Sequence, residues 1–156
     1  MHETHVKERI RIIIADDHDV LRESWKFFLE RDDRFSVIGL YQNGLEAIKG
    51  AVALLPDIIL MDINMAVVNG FEATRKIIEL IPSAKIIGVS VNNHPGYALK
   101  MLELGAKGFV TKNSPFSELI HAIVKVNGGH EYVCDEISKL FRNGIAACVG
   151  VFPAAS

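Results

Sequence analysis

Short apolar runs alternate along this chain with longer stretches in which apolar residues recur every three or four positions. Residues 9–15 (RIRIIIA) are β-branched and few, which predicts a strand. From Val20 the apolar Leu21, Trp25, Phe28 and Leu29 share a helical face, with Asp19 as the N-cap and Trp25 in the core. Residues 35–41 (FSVIGLY) predict a second strand, followed by a Gln42-Asn43-Gly44 turn. Leu45, Ile48, Val52 and Leu55 then space as a helix stopped by Pro56. Residues 58–61 (IILM) are uninterruptedly apolar, as in a strand buried on both faces, and end at Asp62. A third helix starts near Asn69-Gly70 and carries Phe71, Thr74, Ile77, Ile78 and Ile81. Residues 85–89 form a fourth strand that leaves the sheet at Ser90, and Ala98, Met101, Leu102 and Gly105 mark a fourth helix. Residues 106–110 form a fifth strand ending at Thr111-Lys112. Ser114 caps a fifth helix, with Pro115 at its first position and Asn127-Gly128-Gly129 at its end.

Five strands alternating with five helices at these spacings define an α/β chain of βαβ crossovers and a parallel sheet. After Gly129 the character changes. Residues 131–141 predict a short helix with Val133, Ile137, Leu140 and Phe141 on one side, and residues 143–156 are small, apolar and aperiodic, as in a linker remnant or a disordered end. A length of 156 residues suits one domain. The formal net charge of -2 offers no basic footprint for nucleic acid. No apolar run spans a bilayer, and residues 1–11 are too polar for a signal peptide. Cys134 and Cys148 have no metal-ligand spacing and are read as reduced thiols, which predicts a cytoplasmic protein without membrane attachment.

The chemistry collects at strand ends. The first strand delivers Asp16 and Asp17, the third Asp62, the fourth Ser90 and the fifth Lys112. In a parallel sheet these ends share one edge, where open α/β sheets bind their ligands. Singly, each acid could be a helix cap, Ser90 a turn residue and Lys112 a solvated charge. Their joint occurrence at four strand ends is harder to ascribe to capping. Carboxylates gathered together raise one another's pKa, and a hard, oxygen-seeking cation such as Mg²⁺ relieves this. A metal, an ammonium and a hydroxyl together can hold the oxygens of a phosphoryl group, and one carboxylate can then act as nucleophile to form an acyl phosphate.

These residues resemble a bacterial response-regulator receiver domain. The resemblance is carried by the acids in IIIADDHDVLRESW, by LMDINM and NGFEATRKI around Asp62, and by VSVNNHPGYALKMLELGAKGFVTK with Ser90 and Lys112. It covers roughly residues 8–130. The DDH after the first strand, the GAKGFVTK run and NGGHEYVCDEI resemble the LuxR/NarL/FixJ-type subclass. The resemblance implies a flavodoxin- or CheY-like (βα)5 fold, with five parallel strands in the order 2-1-3-4-5 flanked by five helices. It implies a receiver domain over 8–130, a C-terminal extension over 131–156, and a DNA-binding output domain absent from this chain.

For the site, the resemblance implies that Asp62 accepts a phosphoryl group from a sensor histidine kinase. Mg²⁺ would be bound by Asp17, Asp16, Asp62 and the backbone carbonyl of Asn64. Ser90 would move toward the phosphoryl oxygen, Lys112 would pair with it, and Phe109 would be the switch aromatic coupled to Ser90. Asn64 and Asn92 would tune the acyl-phosphate lifetime. The module would be no turnover enzyme, catalysing only its own phosphorylation and dephosphorylation. A homodimer is a reasonable assembly, and DNA would be reached only through the output domain. Three departures stand out: Ala66 replaces the usual Pro, Phe109 lacks a tyrosine hydroxyl, and, as the largest, the chain is expected to stop before a DNA-binding domain could be built. Two other readings compete. A phosphohydrolase with an aspartate nucleophile needs a second Asp where Asn64 stands, and a phosphorylation-independent interaction module would not need the acids, Ser90 and Lys112. His18 is read as a loop residue near the mouth of the site rather than a metal ligand, and His121 as a packing or surface residue.

Overall fold

The computed structural model describes residues 8–143. Strands and helices alternate throughout: β1 (Ile10–Ala15), α1 (Asp19–Glu30), β2 (Phe35–Tyr41), α2 (Gly44–Leu54), β3 (Ile58–Asp62), α3 (Gly70–Leu80), β4 (Ile86–Ser90), α4 (Pro95–Glu103), β5 (Gly108–Thr111), α5 (Phe116–Asn127), β6 (Tyr132–Val133) and α6 (Asp135–Arg142). All strand pairs are parallel, in the order β2-β1-β3-β4-β5-β6. Every residue of β3 and β4 is buried, as their unbroken apolar sequences require when helices cover both faces. Among the described residues, no helix is long and apolar enough to cross a membrane.

The expected five strands and five helices are therefore six of each among the described residues. The expected order 2-1-3-4-5 persists, and β6 is added outside β5. Helical spacing of Val133, Ile137 and Leu140 hid this strand. Tyr132 and Val133 are good strand formers, and without them the outer edge of β5 would leave its backbone groups unpaired. The amide of Tyr132 donates to Lys107 O and that of Cys134 to Phe109 O, at 3.0 and 2.9 Å. The helix expected over 131–141 starts only at Asp135. Cys134 is buried with a free thiol, and Cys148 lies outside the described residues.

Two capping assignments are corrected. Asp19 is the first residue of α1 rather than its cap; its carboxylate pairs with Arg22 at 2.6 Å, and His18 takes the cap position. Pro115, not Ser114, precedes the first turn of α5, and the Ser114 hydroxyl meets that of Thr111 at 3.0 Å instead. Asn43, read from the sequence only as a turn residue, caps α2, and Asn69 caps α3; their side chains accept from the amides of Glu46 and Glu72. Trp25 packs partly buried against the core, whereas Phe28 is 49% exposed, so the apolar face of α1 is wider than the core it meets.

Glycines let the loop after β3 close tightly. The Gly44 amide donates to Val68 O at 3.0 Å, and the Gly70 amide donates to Ile63 O at 2.8 Å. A Cβ at Gly70 would press into the carbonyl oxygen of Asp62 and lie 2.7 Å from Ile63 Cα. Gly70→Ala is expected to lower stability by about 1–3 kcal/mol, the usual range for overpacking. Urea unfolding of the variant beside the wild type checks this, and equal midpoints would refute it.

Candidate phosphoacceptor site

Three strand ends converge on one ammonium group. β1 runs into Asp16, whose side chain is fully buried, and β3 ends at Asp62, whose side chain is 3% exposed. Lys112, one residue past β5, places Nζ 2.8 Å from Asp16 Oδ2 and 3.3 Å from Asp62 Oδ1. Asp17 stands at the mouth, with its side chain 37% exposed. His18 Nδ1 lies 3.1 Å from both Asp16 Oδ1 and Asp17 Oδ1, and its amide donates to Asp16 Oδ1 at 2.8 Å. Arg22 was not singled out in the sequence. Its guanidinium reaches back from α1 and donates to the Asp16 carbonyl at 2.5 Å, fixing the first loop.

The cluster carries more negative than positive charge. Burial, and next the neighbouring Asp16 carboxylate, push the Asp62 carboxyl up from 3.8 to about 6, against the opposing pull of Lys112. Asp62 Oδ2 is buried without a hydrogen-bond partner. Asp16 Oδ2 has none either and meets Lys112 as an ion pair without hydrogen-bond alignment. Ligand atoms of Asp16, Asp17, His18 and Asp62 lie within 4.8 Å of one another. Carboxylates gathered this closely, with Asp62 Oδ2 buried and lacking a hydrogen-bond donor, suit a hard divalent cation.

Ser90 and Thr111 are paired in register across β4 and β5, and both are buried. The Lys112 amide donates to Ser90 O at 2.7 Å, so the hydroxyl-bearing and ammonium-bearing strand ends are tied by backbone. Ser90 Oγ accepts from the Asn92 amide at 3.0 Å. Phe109 is fully buried, and a Cβ at Gly88 would lie 3.1 Å from its ring. Asn64 is exposed in the loop after Asp62. His121 lies away from the acids, stacked edge-on to Tyr132 at 5.2 Å on α5. Thr111 and Glu136 escaped sequence reasoning: Thr111 Oγ1 donates to Glu136 Oε1 at 2.7 Å, a contact between positions 25 residues apart.

The departure at Ala66 is joined by a second oddity. Val67 has φ of 68°, and the Val68 amide donates to Ala66 O at 2.8 Å across it. This is the strained form of a γ-turn, with a β-branched residue at its centre. Val67 is 83% exposed, so packing does not explain it.

The family profile of the response regulator receiver domain matches residues 12–124, and the chain belongs to that family of phosphorylation-dependent switches. Its relatives are LuxR/NarL-type regulators. It is 35% identical over 130 residues to the response regulator GacA of Pseudomonas viridiflava, covering 83% of this chain and 61% of that protein. It is 35% identical over 138 residues to the transcriptional regulatory protein DegU of Brevibacillus brevis, covering 88% of this chain and 58% of that one. The chain thus spans about three fifths of the length of these relatives. A LuxR-family two-component response regulator from Aurantimonas sp. SI85-9A1 superposes with a TM-score of 0.85 at 30% identity, over 89% of this chain and 99% of that one. The response regulator domain of Thermotoga maritima CheB gives 0.73 at 30% identity, over 78% and 98%.

The raised Asp62 carboxyl sets a pH dependence. Folding strengthens its hold on a proton, so this group contributes most stability below about pH 4 and loses it as pH rises through about 6. In metal-free buffer near neutral pH, Asp62→Asn is expected to be more stable than wild type by on the order of 2–3 kcal/mol, with the advantage shrinking toward pH 4. Urea titrations with a chelator present measure this; a variant no more stable at neutral pH would contradict it. Val67→Gly is expected to gain about 1 kcal/mol by relieving the turn, and an unchanged or lower midpoint would show that the turn is not strained.

Proposed function

We propose that the chain is the receiver module of a LuxR-type regulator, with Asp62 as its phosphoacceptor. The observation that carries this reading is the shared ammonium: Lys112 lies within ion-pair distance of both Asp16 and Asp62. In this reading an Asp62 oxygen attacks the phosphorus of a phosphohistidine in a sensor histidine kinase. The new O–P bond forms as the P–N bond to the imidazole breaks, and the freed imidazole takes up a proton. Asp62 Oδ2 has no hydrogen-bond partner to give up when it attacks. Asp17 and Asp16, with Asp62 and the Asn64 carbonyl, would hold Mg²⁺, which neutralises phosphoryl charge when bound. Lys112 moves from a carboxylate partner to a phosphoryl oxygen, and the Ser90 hydroxyl donates to another.

The switch follows from charge added to a bistable element. Ser90, drawn toward the phosphoryl group, carries the loop at Asn92 with it. Phe109 has no hydroxyl, so its part is packing: it fills or vacates space beside Gly88 and Met101. The output would be control of transcription through a DNA-binding domain outside the described residues, with a homodimer as the active assembly and the cytoplasm as the compartment. Support for this comes from the transcriptional regulators among the relatives.

Incubation with acetyl phosphate and Mg²⁺ is expected to add one phosphoryl mass to the intact protein, and neither Asp62→Asn nor a chelated sample should gain it. Mass spectrometry without an Asp62-dependent gain would overturn the assignment.

A further inference from the structure

α6 lies wholly beyond the family-matched residues 12–124, yet it is bonded to both halves of the switch. Glu136, in its first turn, accepts from Thr111 Oγ1 at 2.7 Å through Oε1 and from Asn93 Nδ2 at 2.9 Å through Oε2. Thr111 is in register with Ser90 and directly precedes Lys112. Asn93 directly follows Asn92, whose amide donates to Ser90 Oγ. One carboxylate therefore grips both the strand end that carries the ammonium and the loop that carries the hydroxyl. These two bonds hold the Glu136 carboxyl below its ordinary range, the Thr111 hydroxyl contributing most. The remainder of α6 is seated by Ile137, fully buried, with Leu140 and Phe141 packed against the core.

We propose that Glu136 is a positioning residue that couples the phosphoryl state of Asp62 to the docking of α6. The proposal rests on Asp62 being the phosphoacceptor. When the Ser90 hydroxyl turns to a phosphoryl oxygen, the β4–α4 loop follows and Asn93 leaves Glu136. The first turn of α6 then keeps its Thr111 bond and loses its tie to the loop. Coupling is reciprocal: a helix that is easier to dock in one state must favour that state at the site. Glu136 therefore opposes phosphorylation in the arrangement seen here. α6 is also the segment through which any following chain would sense the site.

Two measurements on the full chain test this, using Mg²⁺ with beryllofluoride as the phosphoryl probe. The first is hydrogen exchange of peptides covering α6. The second is calorimetric affinity for the probe. In the wild type, the probe is expected to speed exchange in α6. Glu136→Ala should exchange rapidly in α6 without the probe, respond no further to it, and bind it at least about fivefold more tightly. Glu136→Gln keeps the shape and one acceptor, so it should fall between the two and guards against a misfolded alanine variant. Exchange in β1 and β3 should not change in either variant, which separates positioning from general destabilisation. The coupling is overturned if both variants bind the probe as the wild type does, or if the probe leaves α6 exchange in the wild type unaltered. A wild type that binds no probe would instead overturn the phosphoacceptor reading beneath it, an outcome told apart by the wild-type titration alone.

Discussion

Lys112 stands between two carboxylates that could not otherwise share a buried site. Coulomb repulsion between Asp16 and Asp62, both out of reach of bulk water, would drive one of them to hold a proton. The ammonium at 2.8 and 3.3 Å offsets part of that repulsion and leaves an excess of negative charge. Burial, and next the repulsion that remains, make Asp62 a reluctant anion, and one of its oxygens is left without a donor. Such an arrangement is unfavourable for the protein alone and suits a cation or a phosphoryl group that would bring new partners. The charge gathered at Asp62 thus costs the fold stability at neutral pH.

The surrounding structure is rigid where these charges need fixed distances and yielding elsewhere. β3 and β4 are buried along their whole length, so Asp62 and Ser90 leave the sheet from a packed base. Gly44 and Gly70 admit close backbone contacts that pin the loop after Asp62 at both ends. Between those pins Val67 takes a backbone conformation that its side chain disfavours. A proline at position 66 would fix one φ before that turn, and the alanine found there leaves the turn to be held by its own hydrogen bond and the two glycines.

Much of this was legible in the sequence because it depends on periodicity and on strand ends. Buried parallel strands are unbroken apolar runs, and the residue where each run stops is the residue the sheet presents. That logic located Asp16, Asp17, Asp62, Ser90 and Lys112 at one edge. It failed at β6, where two residues of strand are too few to show alternation against the helical spacing around them. It also failed at caps. The Asp19 carboxylate turned to Arg22 and the Ser114 hydroxyl to Thr111, and competition among nearby polar groups is decided only in three dimensions. Thr111 and Glu136 lie on different elements, and nothing in the spacing of either marks the other.

The edge added by β6 bears on how a signal could leave the site. On its outer edge β5 pairs with just the two residues of β6, Tyr132 and Val133, so α6 is attached through a short ladder, a modest apolar face and a few side-chain bonds. Segments held this way open at a small fraction of the global unfolding free energy. The central strands cannot respond to a single rearranged hydrogen bond, because many buried contacts fix them. A helix at the sheet's margin can, since typical coupling energies of about 1–3 kcal/mol are comparable to the bonds that seat it. Glu136 is placed where that difference in stability matters: one end of its contacts reaches the rigid strand that carries Lys112, and the other reaches the exposed loop beyond Ser90.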